Sequence, residues 1–103
     1  MKLKKIKTKF GGIRFFETKE ASFNIETLNQ CSKTPKLYLK NNEGYLIMLD
    51  GNIRFGNKKL KRGDFIKIKK RHIICLENKT NKKAKYLAID IPPVKKGDLI
   101  FLK

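Results

Sequence analysis

The 103-residue sequence has no tryptophan, one histidine, two cysteines and three prolines. Cys31 and Cys75 allow one disulfide at most, which excludes a scaffold held together by several bridges. Together with the single histidine, His72, they are too few for a structural zinc site. No stretch approaches the roughly 18 apolar residues of a membrane helix, and no apolar segment follows the lysine-rich start as in a signal peptide. We therefore expect an intracellular protein, cytoplasmic or associated with the nucleus or nucleoid, with reduced thiols and no membrane partner.

Acidic residues are also scarce, since nine Asp and Glu stand against 26 Lys and Arg and leave a net charge of +17. Lysine dominates, and a lysine-rich surface produces a diffuse, salt-sensitive field rather than base-specific readout. We expect binding to nucleic acid, chromatin or another polyanion; the alternative is that the lysines only solvate the surface and protect strand edges. The clustered cations expected to contact a polyanion are Lys58, Lys59, Lys61, Arg62, Lys67, Lys69, Lys70, Arg71, Lys82 and Lys83.

The residue combinations that usually mark catalysis are missing as well. Gly11-Gly12 lacks the spacing of a phosphate-binding loop. One histidine, with no Ser motif around it, gives no Ser/His/Asp set, and the nine acids form no obvious pair in the sequence. We therefore expect no catalytic residue, no cofactor and most simply a binding protein rather than an enzyme.

What the sequence does contain is a hydrophobic period of two, which is typical of β-strands. Apolar residues alternate with polar ones in residues 6–10, 13–15, 23–25, 37–39, 53–55 and 65–68. Turn signals separate these runs, and Asp50-Gly51 predicts a hairpin because glycine accepts a positive φ. The pattern predicts one all-β domain over residues 1–103, a sandwich or barrel of eight or nine short antiparallel strands, with residues 1–12 as a basic N-terminal strand or arm.

Two predicted strands, residues 45–49 and 73–76, are apolar on both faces. Such strands need cover from the opposite sheet and from something else, either the N-terminal strand or a second copy of the chain. Because two-fold homodimers are the commonest oligomers, we expect a homodimer. The residues expected on the dimer face are Tyr45, Ile47, Leu49, Ile73 and Cys75.

The segment from residue 44 to residue 93 resembles the core of a cupin. The matching features are a strand ending in Leu49-Asp50-Gly51, the Gly63-Asp64 turn, Asn78 fifteen residues after Gly63, and a last strand ending in Pro92-Pro93. The resemblance implies a jelly-roll barrel, usually dimeric, whose lumen often holds a metal ion.

The same resemblance places the four metal-ligand positions of a cupin at Leu37, Leu39, Gly44 and Ile74. Alkyl groups and a glycine offer no nitrogen, oxygen or sulfur donor, so we expect no metal at this site. The residues expected to line a lumen or pocket are Tyr38, Leu46, Met48, His72, Ile74 and Leu76. This set predicts an apolar interior, and Tyr45 and Tyr86 join Tyr38 and His72 as the groups of interest if the interior is polar.

A looser resemblance connects the chain to the metal-free cupin domain at the C-terminus of centromere protein C. It rests on the spacing of Phe15-Phe16, Phe23-Asn24-Ile25, Gly63-Asp64 and Leu76-Glu77-Asn78, while the Pro and Gly usual in that domain are Lys69 and Arg71 here. It implies homodimerisation without catalysis, which suits the net charge. The alternatives are a small-molecule-binding regulatory cupin and a divergent metal-independent sugar isomerase or epimerase.

Overall fold

A computed structural model describes residues 4–7 and 11–102 of the chain. Within them there are twelve β-strands and no helix, hence none that could cross a bilayer. The strands are β1 (Lys4–Lys7), β2 (Gly11–Glu17), β3 (Ser22–Leu28), β4 (Ser32–Lys33), β5 (Leu37–Leu39), β6 (Glu43–Asp50), β7 (Asn52–Phe55), β8 (Lys58–Lys61), β9 (Phe65–Ile68), β10 (Leu76–Asn78), β11 (Ala84–Ile91) and β12 (Leu99–Phe101). The all-β prediction is confirmed. Residues 8–10 of the first predicted strand lie outside the described residues.

The strands form two layers, and all the described pairings are antiparallel. One layer is a six-stranded sheet in the order β1-β2-β3-β11-β6-β9. The opposite layer contains β4-β10-β7-β8 and the β12-β5 pair, which a bridge between Leu37 and Ile74 connects to the start of β10. We call this second layer the opposite sheet. The additional strands relative to the prediction are short segments that are too brief for a periodic signal.

The Asp50-Gly51 turn differs from its predicted role. Gly51 has the positive φ of 76° that the sequence suggested. However, β6 pairs with β11 and β9, whereas β7 pairs with β10 and β8. The turn therefore carries the chain from one sheet to the other instead of closing a hairpin, because a period of two indicates strands but does not identify their partners.

The core lies between the two sheets. Its buried apolar residues come from both layers, and ten of them form one cluster: Leu28, Leu46, Met48, Ile53, Leu60, Ile68, Ile74, Leu76, Ala84 and Tyr86. β6 shows the pattern most clearly, since Gly44, Leu46 and Met48 are buried while Tyr45 and Leu49 are exposed. Cross-strand partners share a face, so the register assigns the neighbours of β6 to the inner or outer side.

Candidate functional site

The outer side of the six-stranded sheet carries two adjacent rows of apolar side chains. The register of β2, β3, β11, β6 and β9 aligns them across five strands. Each row ends at a cation, Arg14 of β2 in one row and Lys67 of β9 in the other. The apolar residues of the first row are Ile25, Leu87, Ile47 and Phe65, and those of the second are Phe16, Phe23, Ile89 and Tyr45. We call these eight residues the apolar outer face. Phe65 is 66% exposed, and the stacked rings of Phe16 and Phe23 lie 4.9 Å apart, so large hydrophobic groups meet solvent here.

The extent of this face can be estimated from strand geometry. Strands lie about 4.8 Å apart and rows about 7 Å apart, so with its exposed neighbours Leu49 and Ile91 the face measures roughly 25 by 20 Å. Two such faces pressed together would bury about 1,000 Å², which reaches the lower bound of specific protein interfaces. β1 does not cover the face, because it pairs with β2 at the edge of the sheet.

The predicted dimer face is divided between two sides of the molecule. Tyr45, Ile47 and Leu49 lie on the outer side of the six-stranded sheet. Ile73 and Cys75 belong to the opposite sheet, where Ile73 is 53% exposed and the Cys75 thiol lies 3.5 Å from the Thr34 carbonyl oxygen. The five residues therefore cannot form one interface. The sequence indicated two segments that are apolar on both faces but not that they lie in different layers, and of residues 73–76 only Leu76 lies in a strand.

The predicted lumen residues are also divided. Leu46, Met48, Ile74 and Leu76 are buried in the core. Two others were placed wrongly. Tyr38 points to the outer side, because its neighbours Leu37 and Leu39 face inward.

His72 is exposed in the β9–β10 loop, and its ring centroid lies 5.6 Å from that of Phe55. The two residues before Ile74 are not in a strand, so the alternation of a strand does not direct His72 toward the interior.

The positions that correspond to cupin metal ligands do not fit a metal ion. Leu37 and Ile74 are brought together by paired backbone hydrogen bonds, with 3.0 Å from the Leu37 nitrogen to the Ile74 oxygen. Their side chains and that of Leu39 are hydrocarbon. Gly44 has no space for a side chain, because a Cβ would overlap the carbonyl oxygen of Ile89. Within residues 4–7 and 11–102, no three His, Cys, Asp or Glu residues are grouped so that they could hold a metal.

A row of polar side chains lies elsewhere on the inner side, and of its members only Tyr86 was expected from the sequence as a polar group of the interior. Asn24 and Glu26 of β3 face Tyr86 and Asp90 of β11. The Tyr86 hydroxyl donates to Glu26 Oε1 over 2.9 Å, and Asn24 Nδ2 donates to Asp90 Oδ2 over 3.2 Å. We call these four residues the inner polar row. It places two carboxylates beside the apolar core.

Burial dominates the electrostatics of the inner polar row. Burial away from water raises the pKa of Glu26 to about 7. The hydrogen bond from Tyr86 lowers this pKa by a smaller amount, and the negative charge of Asp90 raises it. Burial likewise raises the pKa of Asp90 to about 6, although the Asn24 bond favours its charged form. The pKa of Tyr86 is raised well above 10 by burial and by Glu26. Both carboxyl groups can therefore exchange protons near neutral pH.

The sequence signal for this row was the alternation in residues 23–25, which did not say which side faces the core. The structure places Phe23 and Ile25 on the apolar outer face, and Asn24 points inward. Alternation separates two faces without identifying the inner one, and here the outer face is the more apolar of the two. In the sequence, the only indication of the inner polar row was that Asn24 and Glu26 alternate with the hydrophobic residues Phe23 and Ile25.

The outer side of strands β4, β10, β7 and β8 in the opposite sheet is charged instead of apolar. Its register aligns Lys33, Glu77, Arg54 and Lys59 in one row across four strands. Lys61 lies beside Lys59 on the same side, opposite Asn52. We call Lys33, Arg54, Lys59 and Lys61 the basic outer face.

The sequence analysis identified Lys59 and Lys61 but not the other two cations. The remaining predicted polyanion contacts do not form one patch. Three of them, Lys69, Lys70 and Arg71, lie in the β9–β10 loop, and two, Lys82 and Lys83, lie in the β10–β11 loop. Lys58 is at the start of β8, and Arg62 is in the β8–β9 turn. Lys67 of β9 borders the apolar outer face.

An open groove of about 400 Å³ lies where β8 meets β9. Lys58, Lys59 and Phe65 contribute to its walls. It joins the edges of the basic and the apolar outer faces and is too open to enclose a small molecule.

Comparison with known families now identifies the fold. The family model described as the quercetinase C-terminal cupin domain matches residues 18–91. The chain belongs to this cupin family. A search of curated proteins found no match.

Solved structures similar to this cupin include proteins of very different size. An uncharacterized protein with a double-stranded β-helix domain from Klebsiella pneumoniae shares 12% identity and a TM-score of 0.78, covering 95% of this chain and 89% of that one. The oxalate decarboxylase formate complex from Lactobacillus farciminis shares 14% identity and a TM-score of 0.83, covering 97% of this chain and 33% of the decarboxylase chain. A cupin sugar phosphate isomerase from Silicibacter pomeroyi shares 13% identity and a TM-score of 0.71, covering 80% of this chain and 59% of the isomerase chain. The cupin thus spans about a third of the decarboxylase, and these identities show the fold alone.

Proposed function

We propose that the protein is a metal-free, non-catalytic cupin that acts as a homodimerisation and binding module. The observation that carries this proposal is the apolar outer face, which is wide enough for a specific interface and is not covered by β1. An apolar face of this size that residues 4–7 and 11–102 leave uncovered, on a protein that is otherwise highly charged, marks an interaction surface. The resemblance to the dimeric cupin of centromere protein C agrees with this role.

The metal-free part of the proposal follows from the donor atoms. Leu37, Leu39 and Ile74 supply none, and the Ile89 backbone occupies the space that a side chain at Gly44 would need. Restoring one ligand would therefore not restore a site. Asp90 of the inner polar row pairs with Gly44 across the strands, but the row holds only two carboxylates, and no three His, Cys, Asp or Glu residues are grouped within residues 4–7 and 11–102.

The oligomeric state tests the proposal directly. We expect the wild-type protein to have the mass of a dimer in light scattering coupled to gel filtration. The triple variant Ile47→Thr, Leu87→Thr, Ile89→Thr should be a folded monomer, because threonine has the β-branched shape that strands favour but less hydrophobic area than leucine or isoleucine. The dissociation constant should increase at least 100-fold.

A matched control for this experiment lies on the other layer. Ile73→Thr makes the same chemical change at an exposed apolar residue outside the apolar outer face. It should leave the dimer intact. A wild-type monomer at high protein concentration would refute the proposal, and a dimer lost equally in the control would move the interface to the opposite sheet.

We also propose that the basic outer face binds the phosphate backbone of nucleic acid. Its cations lie on one side of one sheet, so several can contact one backbone. Each phosphate contact contributes about −0.9 to the slope of log affinity against log salt for duplex DNA. In a DNA titration at several salt concentrations, Lys33→Ser, Lys59→Ser, Lys61→Ser should reduce this slope by about 2 to 3.

The control for that titration removes the same charge elsewhere. Lys19→Ser, Lys95→Ser, Lys96→Ser changes three exposed lysines in the β2–β3 turn and the β11–β12 loop. This variant should change the slope by less than about 1. Equal losses in both variants would mean that only net charge matters, and loss of wild-type binding at physiological salt would exclude a nucleic-acid role.

A second candidate function is binding of a small molecule, or metal-independent isomerisation, in the barrel. The observation that favours it is the inner polar row, because buried carboxylates with raised pKa values are common in binding and catalytic sites. This candidate would replace the first if a ligand bound the monomeric triple variant and the Glu26→Gln change abolished that binding.

A further inference from the structure

The two outer sides of the sandwich have opposite chemical character. Eight of the ten residues in the two rows of the six-stranded sheet are apolar, the exceptions being Arg14 and Lys67 at the row ends, whereas three of the four residues in the row Lys33, Glu77, Arg54 and Lys59 are cations. These two surfaces point away from each other because they belong to different layers of one sandwich. We propose that the homodimer bridges two nucleic-acid duplexes, one on each side. This inference rests on the proposed function, since it requires both dimerisation and phosphate binding.

The geometry of the dimer separates the two basic outer faces. Joining two copies through their apolar outer faces stacks four sheets, and stacked sheets lie about 10 Å apart. The outermost sheets are then about 30 Å apart, with Lys59 and Lys61 of each copy directed away from the dimer centre. A duplex on one side lies beyond the reach of the cations on the other.

DNA stiffness prevents one short duplex from using both sides. The persistence length of duplex DNA is about 150 base pairs, and bending a short site by about 90° already costs several kcal/mol. Contacting both faces would require a reversal of direction around a body about 30 Å thick. Two separate duplexes can occupy the faces without any bending, so bridging is the favoured arrangement.

The chemistry of the basic outer face suits a duplex better than a single strand. Proteins that bind single strands place aromatic side chains where bases can stack. The row across the basic outer face has no aromatic residue, and the highly exposed Phe65 belongs to the apolar outer face. Lysines on a flat sheet offer contacts to phosphates without reading bases, so we expect little dependence on sequence.

A capture assay tests the bridging directly. A short DNA duplex, below the persistence length, is fixed on beads, and a second labelled duplex is added with the purified protein. The wild-type protein should retain the labelled duplex on the beads. Ile47→Thr, Leu87→Thr, Ile89→Thr should lower retention at least tenfold while its affinity for one free duplex, measured by anisotropy, stays within about twofold of wild type.

The basic-face variant provides the complementary arm. Lys33→Ser, Lys59→Ser, Lys61→Ser should remain dimeric and lose both retention and affinity, whereas Lys19→Ser, Lys95→Ser, Lys96→Ser should retain the labelled duplex. A wild-type protein that is dimeric and binds free duplex but captures no second duplex would overturn the bridging proposal alone. Undiminished capture by the monomeric variant would also overturn it. A monomeric wild type, or one that binds no duplex, would instead refute the proposed function and the bridging with it.

Discussion

Replacing Gly44 with alanine is expected to destabilise the protein by about 4 kcal/mol or more, the range of the most disruptive single substitutions. Gly44 pairs with Asp90 of β11 on one side and with Ile68 of β9 on the other. An added Cβ would overlap the carbonyl oxygen of Ile89, which is backbone and cannot move without separating the strands. Since a small domain has only about 5–15 kcal/mol of stability, this loss should remove a large share of it and strongly lower the denaturation midpoint.

Chemical denaturation of Gly44→Ala beside Gly56→Ala measures this effect. Gly56 has a φ of 59° and open space where an added Cβ would lie, so alanine there costs only the left-handed backbone, about 1–2 kcal/mol. The difference between the two variants isolates the steric overlap. If Gly44→Ala were no less stable than Gly56→Ala, β6 and β11 could not approach each other as described.

Most of the architecture could be predicted from the sequence because local signals determine it. A period of two gives strands, and Gly51, Gly56 and Gly63 all have the positive φ that their turns require. What these signals do not give is the partner of each strand. The Asp50-Gly51 turn shows this limit, since the same dipeptide closes a hairpin in one fold and joins two sheets in another.

The candidate site was less predictable, because it depends on which side of each strand is covered. Leu46 and Met48, two of the residues expected to line a lumen or pocket, are buried in the core, since a strand that is apolar on both faces still has a core side. Asn24 and Glu26 were missed because their apolar neighbours were the natural candidates for the core. Lys33 and Arg54 were missed because they become neighbours only through the register with Glu77. Such juxtapositions across distant strands have no local signal.

Replacing Glu26 with glutamine is expected to stabilise the protein at neutral and alkaline pH. The pKa of Glu26 is raised from an ordinary value of 4.5 to about 7, so the folded protein binds this proton more tightly than the unfolded chain does. Below pH 4.5 the group is protonated in both states and costs nothing. Between pH 4.5 and about 7 the unfolded chain releases the proton first, and wild-type stability falls as the pH rises. The shift corresponds to at most about 3 kcal/mol above pH 7.

Glutamine keeps an oxygen that accepts the Tyr86 hydroxyl bond but has no charge to desolvate. In thermal unfolding from about pH 4 to about pH 8, the two proteins should therefore agree at the acidic end and diverge steadily, with the variant melting roughly 10 °C higher at the alkaline end. Asp90 also has a raised pKa, of about 6, so the stability of both proteins should still decrease somewhat as the pH rises. The exposed Glu20→Gln should follow the wild-type curve. A constant difference at every pH would show that Glu26 is not desolvated, and the inner polar row would then be a solvated surface and not a feature of the barrel interior.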